Sequence, residues 1–172
     1  MTNWEELIRK FERVQQRAAQ RSIENFVTPV LAPPGATEDD LAEVERALGR
    51  PLDTSFRDFL HAADGWENFL YDLRIFSTQF FMSESSIQEV LDLIFVERDL
   101  IEAAIGVRMY DCLPIGMNEY GTDSILLMLD TSDSPGEVIW QDNGEIYVRC
   151  HDFEEFFTWM TRFQAGEIDL GS

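Results

Sequence analysis

Residues 37–66 read TEDDLAEVERALGRPLDTSFRDFLHAADGW, and this stretch predicts two short helices separated by a tight stop. Thr37 has the side chain of a helix N-cap, and apolar residues then recur every three or four positions along one helix face. Gly49 follows the last of them, where a glycine can adopt the left-handed conformation that ends a helix. Asp53 or Thr54 can cap the second helix. Each helix has a single apolar face, so both helices must pack on another layer of the fold.

An amphipathic helix is predicted at the N-terminus, over residues 2–25. Thr2 and Glu5 have the spacing of a capping box, and the apolar side chains that follow recur at helical intervals. They form one stripe, made by Trp4, Leu7, Ile8, Phe11, Val14 and Ala18. Because burying each large apolar side chain contributes roughly 1.5–3 kcal/mol, we expect this helix to dock on the rest of the chain.

The size and composition of the chain favour one domain with a helical extension. A length of 172 residues with a hydrophobic fraction of 45% is enough for a single domain with a sizeable core. We divide the chain into an N-terminal amphipathic helix, a Pro-rich connector, an α+β domain and a C-terminal tail, at residues 1–26, 27–36, 37–165 and 166–172.

The part of the chain after residue 66 changes from helical to strand periodicity. We predict one strand over residues 69–76, an apolar run that continues it at Phe80, and a helix that Ser85 caps and that ends by Gly106. Alternation then predicts four strands, at residues 112–115, 124–129, 137–141 and 145–149. An Asn-Gly step joins the last two as a hairpin, and Asp152 caps a closing helix. The predicted fold class is therefore α+β, with a single antiparallel-rich β-sheet, helices packed on it, and an N-terminal helical extension.

The charge of the chain is strongly unbalanced. Lys and Arg number 13 and Asp and Glu 33, which gives a formal net charge of −20. Residues 1–25 hold five basic and four acidic side chains, so the acidity lies in the remainder of the chain. This argues against a nucleic acid or an anionic membrane as the ligand, since both are bound through Lys and Arg, and it favours a basic protein partner. The alternative is that the charge serves solubility alone.

The side chains that usually carry catalysis are few. The two histidines, His61 and His151, have no partner at the spacing of a catalytic dyad or a zinc site, and we predict no enzymatic activity, no metal and no cofactor. Cys112 and Cys150 are expected to be buried free thiols. The sequence has no apolar run near the roughly 20 residues that a membrane span needs, and acids stand near the N-terminus where a signal peptide is apolar, so we expect a cytoplasmic protein.

Two segments combine aromatic and acidic side chains in the manner of a protein interface. Aromatic residues anchor interfaces, and acids select a basic partner and accelerate the encounter with it. The alternative is that Trp66 belongs to the core and the acids are simply solvated. The candidate partner-binding residues are Trp66, Glu67, Asn68, Tyr71 and Asp72 in the first segment and Asn118, Glu119, Tyr120 and Asp123 in the second.

The order and spacing of several short motifs resemble the SUKH superfamily, the Smi/Knr cell-wall-assembly regulator family. The motif residues are Glu45, Leu48, Gly49, Leu52, Ser55, Phe56, Phe59, Leu60, Asp64, Gly65 and Trp66, followed by Leu113, Pro114, Ile115, Gly116, Gly121, Asp123, Leu129 and Asp130, and then by residues 152–157. The resemblance implies a non-enzymatic immunity protein that binds and neutralises a cognate toxin domain, often a nuclease delivered by neighbouring cells. The alternative that it implies is a regulatory protein-protein interaction module of the Smi/Knr type.

Overall fold

A computed structural model describes residues 2–21, 29–96 and 98–170. Within these residues the helices are α1 (Trp4–Arg21), α2 (Glu38–Leu48), α3 (Thr54–Ala62), α4 (Thr78–Met82), α5 (Glu84–Val96), α6 (Arg98–Ile105) and α7 (Phe153–Ala165). The strands are β1 (Trp66–Leu70), β2 (Leu73–Ile75), β3 (Cys112–Met117), β4 (Asp123–Met128), β5 (Val138–Asp142) and β6 (Glu145–Cys150). The predicted continuation of the first helix to residue 25 and the first residues of the predicted connector, 27 and 28, lie outside the described residues.

The six strands form one antiparallel sheet in which they lie side by side in the order of the sequence. Every second connection therefore lies at the same end of the sheet. The turns that join β1 to β2, β3 to β4 and β5 to β6 meet there, and we call this end the hairpin end. The predicted α+β class with a single antiparallel sheet is confirmed.

Residues 37–66 form the two helices that their sequence predicts. Thr37 accepts a hydrogen bond from the backbone N–H of Asp40, whose carboxylate accepts one in return, so the capping box at the start of α2 is complete. Gly49 ends α2 with a φ of 68°, in the left-handed region that favours glycine. Asp53 is the cap of α3 and accepts two backbone N–H groups. These local signals hold α2 and α3 as separate helices.

An aromatic core lies between one face of the sheet and helices α1, α3 and α7. Trp66 and Phe69 of β1 meet Phe11 of α1 and Phe157 of α7, with ring centroids 4.5–6.2 Å apart. Trp140 of β5 extends this contact along α7. The N-terminal helix is thus packed into the core through its apolar stripe, as the sequence led us to expect.

Helices α5 and α6 cover the opposite face of the sheet. Ile75 pairs with Trp66, whose ring contacts α1, so the neighbouring Arg74 points to the other side. There it lines a cavity together with Val90 of α5. Farther along the sheet, a Cβ built on Gly144 would lie 2.9 Å from the side chain of Leu100 in α6. The sheet is therefore enclosed by helices on both faces.

Between β1 and α6 the structure differs from the sequence prediction. Residues 69–76 form not one strand but the end of β1, a turn at Tyr71 and Asp72, and β2, because Tyr71 adopts a φ of 55° and reverses the chain. Phe80 lies in helix α4 and not in an extension of the strand, because Ser77 accepts a hydrogen bond from its backbone N–H and caps that helix.

Two further differences concern helix caps. The helix predicted to follow Ser85 is helical over Glu84–Val96 and Arg98–Ile105, with residue 97 outside the described residues. Its cap is Ser83 and not Ser85, because the Ser83 hydroxyl oxygen accepts the backbone N–H of Ser86. At the N-terminus, Asn3 takes the capping role predicted for Thr2, since its side chain accepts the N–H of the third residue after it. The Thr2 hydroxyl instead donates to a carboxylate of α7, which ties the start of α1 to that helix.

Candidate functional site

The meander brings the two predicted interface segments to the hairpin end of the sheet. The turn at Tyr71 and Asp72 joins β1 to β2, and residues 118–122 join β3 to β4. The third turn at this end follows Asp142. We call the exposed surface formed by these three turns the hairpin surface.

Three carboxylates from different strands and turns lie close together on the hairpin surface. Asp123 pairs directly with Asp142 across β4 and β5, which places their Cβ atoms about 5 Å apart. Burial, Asp142 and Asp72 raise the pKa of Asp123 from its usual value near 3.8 to about 6. Among the described residues, no basic side chain forms an ion pair with these three carboxylates, and a nearby cation would favour the ionised form of Asp123.

Hydrogen bonds hold two of these carboxylates, Asp123 and Asp142, in place. The indole N–H of Trp140 donates to Asp123 Oδ1 over 3.1 Å, and the Tyr147 hydroxyl donates to Asp142 Oδ2 over 3.1 Å. Burial and the hydrogen bond to Asp142 raise the pKa of Tyr147 to about 12, so this hydroxyl remains a donor at neutral pH. Asp123 and Asp142 are therefore positioned by the sheet, whereas Asp72 is exposed in the first turn.

Two exposed tyrosines flank the carboxylates. Tyr71 is 61% exposed and Tyr120 75% exposed, so each ring presents most of its surface to solvent. Glu119 and Asp72 are exposed beside them. Tyr71 also holds a left-handed backbone conformation, which is uncommon for a bulky residue and costs about 1–2 kcal/mol. Such local strain is characteristic of functional positions.

Four of the nine predicted residues do not contribute exposed surface at the hairpin end. Trp66 is 1% exposed and donates its indole N–H to the Val30 carbonyl over 2.9 Å, so it belongs to the core, and its interpretation as an exposed anchor is wrong. Glu67 and Asn68 lie along β1, with Glu67 roughly 13 Å from the turn. Asn118 is buried and bridges its own turn through hydrogen bonds to Thr122 and Asp123.

Sequence reasoning missed three residues of this region. Asp142 stands in a recognisable hairpin, but its proximity to Asp123 depends on the strand order. Leu93 of α5 lies against Gly121, where a Cβ would come within 3.1 Å of it, and Leu100 of α6 lies against the last turn. Both leucines are partly exposed, Leu100 by 54%, and form an apolar rim beside the acidic groups. Only the packing of α5 and α6 on the sheet reveals this rim.

The histidines and cysteines lie apart from the hairpin surface. His61 on α3 is exposed with its Nδ1 3.1 Å from the Ala36 carbonyl, and His151 is exposed before α7. Cys112 and Cys150 are buried free thiols, as expected, and burial raises the pKa of each to about 12. In the described part of the chain, no three His, Cys, Asp or Glu side chains are arranged to hold a metal ion, and no helix is long and apolar enough to span a membrane.

The comparisons with known proteins agree with the motifs in the sequence. A family model described as SMI1/KNR4 family (SUKH-1) matches residues 35–159, which covers α2 through most of α7. No curated protein matches the chain significantly. Since the family model covers well over half of the sequence, the chain belongs to the SMI1/KNR4 (SUKH-1) family.

Proposed function

We propose that this chain is an immunity protein that binds and neutralises a basic toxin domain, of the nuclease type, through its hairpin surface. SUKH-domain proteins are often immunity proteins, which gives the proposal its family context. The observation that carries it is the convergence of three carboxylates and two exposed tyrosines at one end of the sheet. We further propose that the chain acts in the cytoplasm by binding alone, with no catalytic step.

The charges and rings of the hairpin surface suit a nuclease domain. A nuclease holds phosphates in a cleft lined by Lys and Arg, so an acidic surface can occupy the same cleft and exclude the nucleic acid. Asp72, Asp123 and Asp142 provide the negative charge. Their electrostatic attraction steers a basic partner toward this surface and raises the association rate. Tyr71 and Tyr120 can then enter apolar pockets of the partner and slow its dissociation.

A co-expression experiment tests the proposed function. A toxin domain identified in the genomic neighbourhood of this chain would be expressed in a bacterial host alone, with the wild-type chain, and with the variants Glu119→Lys and Tyr120→Ala. The wild type should restore growth, and the two variants should protect less.

Matched controls come from exposed residues elsewhere in the chain. Asp133→Lys reverses an exposed charge in the loop at the opposite end of the sheet, and Tyr110→Ala removes a tyrosine that is 68% exposed. Both controls should protect as well as the wild type. Equal protection by all four variants would show that the hairpin surface is not the binding site. No protection by the wild type would reject the immunity function for this toxin.

A further inference from the structure

Arg74 lies in β2 on the sheet face that α5 covers. Its Nε is buried and has no hydrogen-bond partner among the described residues. Its guanidinium carbon stands 5.6 Å from the centre of the Phe76 ring, within the range of a cation–π contact. Within residues 2–21, 29–96 and 98–170, no carboxylate comes within ion-pair distance of it. In a chain this acidic, a part-buried arginine without a counter-ion is unusual, and an unsatisfied buried donor is costly.

The side chain of Arg74 lines a cavity of about 240 Å³ between the sheet and α5. The same cavity is lined by two carboxylates, Glu89 on α5 and Glu119 on the turn after β3, which likewise form no ion pair with a described residue. Its remaining wall includes the apolar side chains of Val90 and Leu93. The cavity therefore offers one cation, two anions and an apolar wall.

We propose that this cavity binds a free α-amino acid with an apolar side chain. The planar guanidinium of Arg74 matches a carboxylate, which it can bind through two parallel hydrogen bonds. Glu89 and Glu119 supply the counter-charge for the ammonium group, and Val90 and Leu93 contact the side chain. The volume is below the roughly 300–1,000 Å³ of pockets for drug-sized ligands, which agrees with a small molecule.

The arrangement of charges discriminates between related ligands. A carboxylate without an ammonium leaves Glu89 and Glu119 unpaired and close to a further negative charge. An ammonium without a carboxylate leaves Arg74 unpaired. Inorganic phosphate carries more negative charge than a carboxylate, and the two glutamates oppose its entry. The zwitterion alone satisfies both signs of charge. The cavity shares Glu119 with the hairpin surface, but Arg74 and Glu89 belong to the cavity alone, so the variants at these two positions test it separately from toxin binding.

Calorimetric titration of the full chain with four probes tests the proposal. L-leucine should bind, whereas N-acetyl-L-leucine, L-leucinamide and inorganic phosphate should bind at least about tenfold more weakly, because each leaves a charged group unpaired. The NMR signal of the Arg74 Nε–H should shift on addition of L-leucine to the wild type. Binding of N-acetyl-L-leucine as tight as that of L-leucine would point to a carboxylate of a protein partner as the natural occupant and would overturn the proposal. Binding of phosphate, or of none of the probes at millimolar concentration, would overturn it as well.

Two variants and a matched control assign the binding to this cavity. Arg74→Met and Glu89→Gln should each weaken L-leucine binding by roughly 10- to 100-fold, the loss expected for a charge-assisted hydrogen bond. Arg9→Met removes an exposed arginine on α1 and should leave the affinity unchanged. Unchanged binding in Glu89→Gln would contradict the assignment. If Arg74→Met does not melt cooperatively, it is set aside as unfolded. The affinity of Glu89→Gln for L-leucine and the shift of the Arg74 Nε–H signal in the wild type then decide the outcome.

Discussion

Replacing Phe11 by alanine should destabilise the whole domain, although Phe11 lies in the N-terminal helix and outside the segment that matches the family model. Phe11 is fully buried, and its ring is 4.5 Å from Phe69, 5.0 Å from Phe157 and 5.1 Å from Trp66, measured between centroids. These rings belong to β1 and α7, so Phe11 joins the first helix, the sheet edge and the closing helix.

The expected loss is large because the cavity left by the ring is surrounded by rigid aromatic side chains. Phe→Ala substitutions in protein cores cost about 3–5 kcal/mol. For a chain of this length each kcal/mol lowers the melting temperature by roughly 2–4 °C, so Phe11→Ala should lower it by about 6–20 °C. Urea unfolding followed by far-UV circular dichroism gives the free energy, and tryptophan fluorescence reports the same transition.

The control is Arg9→Ala, which removes an exposed side chain of α1 and should cost less than about 0.5 kcal/mol. A loss below about 1 kcal/mol for Phe11→Ala would refute the reasoning, since α1 would then be a dispensable appendage. Two separate unfolding transitions would refute it equally, because they would show that α1 and the sheet do not share one core.

Three further substitutions test individual features. The pKa of Asp123 is higher in the folded protein than in the unfolded chain. Its contribution to the unfolding free energy is therefore fully present below about pH 4 and is lost as the pH rises through about 6. The Asp123→Asn variant can still accept the Trp140 hydrogen bond but carries no charge. It should therefore raise the unfolding free energy at pH 8 by about 1–2 kcal/mol, allowing for solvent screening, and change it little at pH 4. Equal effects at both pH values in urea titrations would contradict this expectation. Tyr71→Gly should relieve the strain of the left-handed φ at this position and stabilise the fold by up to about 1 kcal/mol, while the loss of the exposed ring weakens toxin binding. A lower melting temperature of this variant would argue against strain at this turn. Gly116→Ala should cost roughly 1–3 kcal/mol in thermal unfolding, because its Cβ would lie 2.5 Å from the Arg74 carbonyl oxygen, and a neutral effect would show that β2 and β3 approach less closely.

Local signals in the sequence were sufficient for the elements whose ends are set by short-range chemistry. Thr37, Gly49 and Asp53 fix helix ends through hydrogen bonds or a backbone conformation within a few residues. The Asn-Gly step placed the last hairpin correctly. The turn at Tyr71 and Asp72 was missed because Asp72 is its single turn-favouring residue and the loose alternation of residues 69–76 continues across it.

The candidate site was predictable in composition but not in arrangement. Tyr71, Asp72 and Tyr120 are exposed, as interface residues must be, but nothing in the sequence fixes the side on which Trp66 points. A tryptophan suits a core and an interface equally well, and only the ring contacts made by α1 place it inside. The proximity of Asp142 likewise requires the strand order, which depends on long-range pairing.

The most direct test of the hairpin surface as the docking site is the association rate of the purified chain with the basic toxin domain, measured by stopped flow at about 0.05 and 0.5 M salt. The wild-type rate should fall steeply with salt, because the Debye length shortens from above about 10 Å to a few ångströms. Glu119→Lys should slow association at low salt and reduce its salt dependence, whereas Asp133→Lys at the opposite end should change both less. Equal rates for the two variants, or a wild-type rate that does not depend on salt, would contradict the hairpin surface as the electrostatic docking site.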